Sequence, residues 1–223
     1  GIAGRMLENM ALAFKNIRGG LSISIIVVGA LLAASTGIVG ATVVTMGLMS
    51  LPVLIQQGYK KDFSTGLVAA TGTLGQIIPP SIALVLLGDV MSNAYQRAQN
   101  NMGIFSQKTV TVGDLFIGAI VPGILICTSY LMYTIYQNSK NSNIYFSPDA
   151  TSPPSAEILK TLALPLMLIV LVLGSIIGGI ATPTEAAAIG AMGAMIIALV
   201  NGKLTLGFLK ETSEKTAIVT TMI

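Results

Sequence analysis

Histidine is absent from this sequence, and cysteine occurs once, as Cys127. Without histidine, neither a Ser-His nor a Cys-His catalytic pair can be assembled, and the usual zinc ligand sets are excluded. A single cysteine cannot form a disulfide within the chain. Because Cys127 lies in an apolar run, we interpret it as a small packing residue.

Charge is also scarce. Only 9% of the residues are Asp, Glu, Lys or Arg, and the mean hydropathy is +0.81. The apolar runs are too long and too uniform for barrel strands, so the composition predicts an all-α polytopic membrane protein. With no acid in the apolar core, an intramembrane enzyme is not expected. The basic residues lie between apolar runs rather than in a patch, which indicates membrane orientation and not nucleic-acid binding.

The longest charge-free run extends from Gly19 to Tyr59 and is interrupted by Ser35-Thr36-Gly37. As one straight helix it would be roughly 60 Å long, about twice the hydrocarbon thickness of a bilayer. The interruption leaves arms of about 15 residues, each shorter than the ~20 residues of a full span. The sequence therefore predicts a re-entrant helical hairpin over residues 19–55, whose tip is buried in protein or lines a cavity.

A second charge-free run, from Phe63 to Gly88, carries Thr71-Gly72-Thr73-Leu74-Gly75 and then Pro79-Pro80-Ser81. Proline lacks an amide donor and clashes with the preceding turn, so two in tandem cannot sit in an unbroken helix. This pattern predicts a discontinuous span over residues 63–88. A broken span beside a re-entrant hairpin is typical of transporters and channels.

The distribution of positive charge indicates the orientation. Ten of the twelve Lys and Arg residues lie on one predicted side of the membrane, whereas Arg97 and Lys108 lie on the other. By the positive-inside rule, the hairpin enters from the cytoplasm. The count would be the same if residues 19–59 crossed twice, so the hairpin prediction depends on arm length.

Neither interrupted segment contains a charged residue. A proton-coupled carrier usually needs an intramembrane carboxylate or histidine to hold the proton. Sodium can instead be held by backbone carbonyl and hydroxyl oxygens, which the tip 35–37 and the break 71–75 provide. We therefore favour sodium coupling. The alternative is that these Ser and Thr residues only cap helices and satisfy backbone groups.

Thr182-Pro183-Thr184-Glu185 matches a capping box, with Thr at the N-cap, Pro at the first helical position and Glu at the third. Because this structural role accounts for all four residues, we prefer it to a proton-carrying Glu185. A small-residue face suited to close helix contact follows. It consists of Ala186, Gly190, Gly193 and Ala194.

Several motifs together resemble the large membrane subunit of TRAP (tripartite ATP-independent periplasmic) transporters. They are Arg18-Gly19-Gly20-Leu21, Gly58-Tyr59, Gly72-Thr73-Leu74-Gly75-Gln76-Ile77-Ile78-Pro79-Pro80-Ser81-Ile82, Gly113-Asp114-Leu115-Phe116, Pro122-Gly123 and Thr182-Pro183-Thr184-Glu185-Ala186-Ala187-Ala188. The resemblance implies inverted repeats and elevator-type movement of a transport domain against a scaffold. It also implies sodium-driven uptake of a small organic anion across the bacterial inner membrane. The implied partners are a soluble periplasmic substrate-binding protein and a small membrane (Q) subunit.

In that family, sodium sites lie where the hairpin tip meets the broken span. The matching positions in this chain are Ser35, Thr36, Gly37, Thr71, Gly72, Thr73 and Pro79. Candidate substrate contacts are Thr42 and Ser81. Many members carry Gly-Ser-Ser at the tip where this chain has Gly37-Ile38-Val39. Backbone carbonyls or Thr36 would therefore have to replace the serine hydroxyls.

The apolar runs and polar segments divide the chain into parts, and the resemblance assigns them to two repeats. The chain is expected to be an internal fragment of a longer permease. The parts are an interfacial amphipathic helix (1–18), a first-repeat transport region (19–136) with the hairpin, the broken span and a further span (115–136), a linker (137–160) and an incomplete second repeat (161–223) with spans at 161–180 and 185–200. Two other functions stay open. One is a stand-alone divalent-anion/sodium symporter, and the other is a channel, although no filter-like carbonyl run is evident.

Overall fold

The computed structural model describes residues 2–104, 108–140 and 155–221. These residues form helices and turns with no strand among them, as the sequence predicts. The elements are α1 Ile2–Ala13, α2 Gly20–Thr36, α3 Val39–Gln56, α4 Lys61–Thr73, a 3₁₀ turn Leu74–Gln76, α5 Ile82–Asn101, α6 Val112–Lys140, α7 Ser155–Ile177, α8 Pro183–Val200 and α9 Leu206–Thr221.

Within the described ranges, α3, α6 and α8 are long and apolar enough to cross a membrane. Large apolar side chains on α6, α7 and α8 stay exposed, as expected for surfaces that contact lipid. They include Val121, Leu125, Met132, Val170, Leu199 and Val200. The chain is therefore a multi-pass membrane protein.

The hairpin turns at Gly37. Its φ of 61° lies in the left-handed region, and its N–H donates to Ala33 O at 2.9 Å, which closes α2. Ile38 is extended, and α3 begins at the next residue. Glycine is favoured at this position because it adopts positive φ without the steric penalty of a Cβ. The predicted interruption of the apolar run is confirmed.

The two arms of the hairpin are longer than predicted. Helices α2 and α3 contain 17 and 18 residues, which corresponds to lengths of about 26 and 27 Å. Since α3 is also long enough to cross a membrane, arm length no longer separates a re-entrant hairpin from two crossings. The re-entrant geometry stays a prediction.

The second predicted interruption is also confirmed. Helix α4 ends at Thr73, the 3₁₀ turn follows, and α5 does not begin until Ile82. Pro79 and Pro80 lie in the gap and are joined by a cis peptide bond. Neither residue can donate a backbone hydrogen bond, which accounts for the gap in the helix.

Helix α5 extends beyond the predicted end of the broken span at Gly88. It continues to Asn101, through polar residues that lie beyond the predicted span. Residues 89–101 are polar but include no glycine or proline, and their side chains are compatible with a helix. Polarity therefore predicts exposure to solvent here but does not exclude helix.

The predicted linker 137–160 lies largely outside the described residues. Its first four residues belong to the end of α6, and α7 begins at Ser155.

Helix α8 begins at Pro183 as predicted. Helices α7 and α8 pack closely at Gly190 and Gly193, where an added Cβ would lie 3.0 Å from Val172 and 2.4 Å from Leu168 respectively. The predicted small-residue contact is confirmed at these two glycines.

Helix α2 lies at the centre of the packing and contacts α1, α3, α4, α6, α7 and the 3₁₀ turn. Ile25, Ile26 and Val28 are fully buried on it. A helix that is apolar on all sides is stable when it is surrounded by other elements. An added Cβ on Gly29 would lie 3.0 Å from Thr71 Cβ, so α2 and α4 approach closely. The core therefore holds the hairpin against the broken span.

Candidate functional site

The hairpin tip and the break of the second span are in contact. Gly37 is buried, and a Cβ added to it would lie 3.1 Å from the carbonyl oxygen of Pro80. The amide Nε2 of Gln76 donates to Gly37 O at 3.4 Å. On the other side of the tip, a Cβ on Gly75 would lie 3.5 Å from Ala33 O. The structure thus brings the two non-helical segments together; we call this contact the tip–break junction (residues 35–38 and 74–82).

Ser81 connects the two ends of the break. Its hydroxyl donates to Gln76 O at 2.9 Å and accepts from the backbone N–H of Leu84 at 3.4 Å. Ser81 is therefore the N-cap of α5, and it is 1% exposed. Its role as a candidate substrate contact stays a prediction, and the structure adds a role in shaping the break.

The predicted residues on α4 lie before the break and not at its centre. The buried Thr71 hydroxyl donates to the carbonyls of Leu67 and Val68. Gly72 packs on α3, where an added Cβ would lie 2.1 Å from Val43 Cγ2. Thr73 is exposed, and its hydroxyl donates to Ala70 O at 2.7 Å. Thr71 and Gly72 thus hold helices together, whereas Thr73 reaches the surface beside the break.

The remaining predicted hydroxyls also bond to their own helices. Ser35 is exposed and donates to Leu32 O at 2.8 Å. Thr42 is buried and donates to Ile38 O at 2.8 Å in the first turn of α3. The side chain of Thr36 lies outside what the structure describes. Each described hydroxyl therefore donates to a backbone carbonyl, which was the alternative to a ligand role. The lone pairs of the hydroxyl oxygens stay available to accept.

Main-chain oxygens are the chemically distinctive groups of the junction. Within the described ranges, no residue donates a hydrogen bond to the carbonyls of Ile78, Pro79 or Pro80. The C-terminal ends of α2 and of the 3₁₀ turn also face this region and carry partial negative charge. Unpaired carbonyls and helix C-termini together favour a hard cation such as sodium. The N-terminus of α5, on the same junction, favours an anionic group.

A cavity of about 810 Å³ opens beside the junction. This volume lies within the range of about 300–1,000 Å³ typical of small-molecule sites. Its polar lining comes from Ser35, Gly37, Ser81 and Thr184, and its other walls are mostly apolar. The apolar walls could not be predicted from the sequence, because hydropathy alone does not distinguish residues that line a cavity from residues that face lipid. They include Phe116, Leu168, Val172 and Ile176.

The capping box at the start of α8 is confirmed. The Glu185 carboxylate accepts from the Thr182 N–H and hydroxyl, both at 2.8 Å, and Glu185 N–H donates to Thr182 Oγ1 at 3.4 Å. Pro183 and Thr184, inside the box, line the cavity. The box therefore places the N-terminus of α8 at the cavity wall, and the carboxylate is already engaged by the cap.

Glu185→Gln is expected to lower the midpoint of thermal unfolding of the protein in detergent only slightly. Glutamine at the third helical position can also accept from the N-cap N–H, so the capping box survives, and only the attraction between the carboxylate and the helix N-terminus is lost. A loss of stability as large as that of Thr182→Ala, which removes the N-cap, would contradict this interpretation of the box.

Comparison with known proteins identifies one family. The family model described as "Tripartite ATP-independent periplasmic transporter, DctM component" matches residues 1–223. The C4-dicarboxylate TRAP transporter large permease protein DctM of Vibrio cholerae is 35% identical over 198 residues, which make up 89% of this chain and 40% of that protein.

Two further relatives have other named substrates. The sialic acid TRAP transporter large permease protein SiaM of Vibrio cholerae is 31% identical, over 100% of this chain and 49% of that protein. The ectoine/5-hydroxyectoine TRAP transporter large permease protein UehC of Ruegeria pomeroyi is 28% identical, over 99% of this chain and 48% of that protein. The chain therefore spans less than half the length of these relatives.

Proposed function

This chain belongs to the family of the DctM component of tripartite ATP-independent periplasmic transporters, and we propose on that premise that it is part of a large permease that imports a small organic anion together with sodium. The relatives are named transporter permeases, so the family is one of transport and not of catalysis. The permease resides in the bacterial inner membrane and receives its substrate from a soluble periplasmic binding protein. A small membrane (Q) subunit completes the complex.

The tip–break junction is the observation that carries sodium coupling. Two interrupted helices meet there, Gly37 lies against Pro80 O, and carbonyls near the break have no described hydrogen-bond donor. A cation bound between them would satisfy oxygens from both segments at once. Its binding would then stabilise the contact between hairpin and broken span, which links sodium to the geometry of the neighbouring cavity.

The substrate class follows from the cavity and the relatives. C4-dicarboxylates, sialic acid and ectoine are named for the three relatives, and all carry a carboxylate. The N-terminal residue Ile82 of α5 lines the cavity of this chain. Helix N-termini favour anions through their free amide groups and the helix dipole. We therefore assign the cavity to a carboxylate substrate and the tip–break junction to sodium.

Alternating access in this proposal is of the elevator type. The hairpin, α4 and the 3₁₀ turn form the moving unit with the site, since α2 packs on α3, α4 and the 3₁₀ turn. The alternative of a stand-alone divalent-anion/sodium symporter is tested by removing the periplasmic binding protein, which should stop uptake. A channel would dissipate a gradient, whereas the proposed carrier should concentrate succinate when a sodium gradient is imposed on proteoliposomes.

Thr73→Val is expected to raise the sodium concentration for half-maximal uptake by about three- to tenfold, since a hydrogen-bonding group near the ion is worth about 0.5–1.5 kcal/mol. Thr73 is the exposed last residue of α4, directly before the break. Uptake should be measured over a range of sodium concentrations in the full permease with its partners.

Thr65→Val provides the matched control for Thr73→Val. Thr65 is also exposed on α4, and its hydroxyl also donates to carbonyls of the preceding turn, at 3.0 and 3.1 Å. It lies two turns away from the break, so its replacement should not change sodium dependence. Equal sodium dependence in both variants would remove Thr73 from the site.

A further inference from the structure

Gln76 is the last residue of the 3₁₀ turn, and the sequence motifs predict no separate role for it. Its side chain crosses from the break to the hairpin tip, where Nε2 donates to Gly37 O at 3.4 Å. The two residues are 39 positions apart in sequence. In the part of the chain that the structure describes, this is the side-chain hydrogen bond that connects the two halves of the tip–break junction.

The backbone of Gln76 is held as well. Its carbonyl accepts from the Ser81 hydroxyl at 2.9 Å, across the proline-containing gap. Gln76 thus bonds through its side chain to the tip and through its main chain to the start of α5. Any change in its position would alter the orientation of Gly37 O and of the carbonyls around Pro80 together.

The other side-chain atom of Gln76, Oε1, is buried and has no hydrogen-bond partner among the described residues. Burying an unpaired carbonyl oxygen is unfavourable, and an apolar side chain of similar shape would avoid the cost. Stability alone therefore does not explain an amide at this position. The hydrogen bond from Nε2 to Gly37 O explains the amide, because an N–H donor can hold that carbonyl in place and an apolar side chain cannot.

We propose that Gln76 is a positioning residue that orients the hairpin tip against the break for cation binding. The inference rests on the proposed function, which assigns sodium to this junction. Gly37 O keeps a second lone pair when it accepts from Nε2, so it can contact the cation at the same time. Nε2 itself does not contact the cation, since an N–H donor repels positive charge.

Two substitutions of Gln76 separate positioning from direct ligation. Gln76→Met keeps the shape and removes both polar atoms, whereas Gln76→Glu keeps oxygen atoms but removes the donor to Gly37 O. In the full permease with its partner proteins, both variants should raise the sodium concentration for half-maximal uptake by about three- to tenfold. The KM for substrate at saturating sodium should stay within about twofold of wild type.

Gln99→Met is the matched control. The Gln99 amide also makes side-chain hydrogen bonds to backbone, with Lys108 N and O at 2.9 and 2.8 Å, but it lies at the far end of α5. Its replacement should leave sodium dependence unchanged. If Gln76→Glu tightened sodium binding while Gln76→Met weakened it, Oε1 would be a ligand and the positioning role would be wrong. Unchanged sodium dependence in both would overturn the inference but not the proposed function.

A second measurement does not depend on sodium coupling. Ala34→Cys, in a permease without other cysteines, places a thiol in the last turn of α2 beside the tip, where Ala34 is buried. Without sodium and substrate, a membrane-impermeant maleimide should label it several-fold faster when Gln76→Met is added, because the tip is no longer held. An equal labelling rate would overturn the inference. Absence of sodium dependence in wild type, with faster labelling, would instead contradict only the proposed function.

Discussion

Gly37→Val is expected to reduce sodium-dependent uptake at least about tenfold. The left-handed conformation costs a residue with a Cβ about 1–2 kcal/mol, and 1.36 kcal/mol corresponds to a tenfold effect. At Gly37, with φ of 61°, the new Cβ would also lie 3.1 Å from Pro80 O and 3.7 Å from Ile82 Cγ1. The side chain therefore pushes the tip away from the break, where the cation is proposed to bind. Initial uptake rates in proteoliposomes, normalised to the amount of permease, provide the measurement.

Gly40→Val distinguishes this local effect from a general intolerance of larger residues in the hairpin. Gly40 is exposed within α3, and no atom of the described residues lies within 4 Å of a Cβ added there. This variant should insert and transport like wild type. If Gly37→Val kept its uptake and sodium dependence, the tip could not be part of the cation site. If both variants failed equally, the effect would not be specific to the tip.

Gly72→Ala is expected to destabilise the protein by about 1–3 kcal/mol, the usual cost of overpacking. The added Cβ would lie 2.1 Å from Val43 Cγ2 and 3.0 Å from Val43 Cα. Because a backbone atom is involved, rotation of the valine side chain cannot relieve the whole clash. Helices α3 and α4 must move apart, which lowers the midpoint of thermal unfolding of the permease in detergent.

Two further variants make the Gly72 prediction specific. Gly66→Ala, on the exposed side of the same helix, meets no atom of the described residues within 4 Å and should unfold at or slightly above the wild-type midpoint. Val43→Ala combined with Gly72→Ala should recover part of the lost stability, since the valine methyl groups that meet the new Cβ are removed. A midpoint for Gly72→Ala equal to that of Gly66→Ala would contradict the close packing of α3 on α4.

These glycines illustrate what a sequence pattern can and cannot predict. Gly37, Gly40, Gly66 and Gly72 are all glycines in or beside apolar runs. The interruption at Gly37 is predicted from the sequence, but only the structure separates Gly72, which needs a close helix contact, from Gly40 and Gly66, which do not. The reason is that the available space depends on a neighbouring helix, which is distant in sequence.

The extent of each helix was predicted less well than its interruptions. Pro79 and Pro80 end a helix by their own chemistry, so the break could be predicted locally. The end of α5 could not, because it continues through polar residues to Asn101. Similarly, the arms of the hairpin extend beyond their predicted lengths. A helix continues where tertiary contacts or solvent permit, and hydropathy reports only where apolar residues stop.

The sequence alone is enough to predict the helical membrane class, the interruptions at Gly37 and at Pro79-Pro80, and the capping box at Thr182 and Glu185. Each depends on groups within a few residues of one another, such as a missing amide hydrogen or a cap. The family resemblance predicts that the two interruptions meet, whereas the Gln76 amide that connects them follows from the packing of segments distant in sequence. Uniformly apolar helices have no periodic pattern that identifies their neighbours. Shape complementarity between distant segments therefore determines which of them pack together.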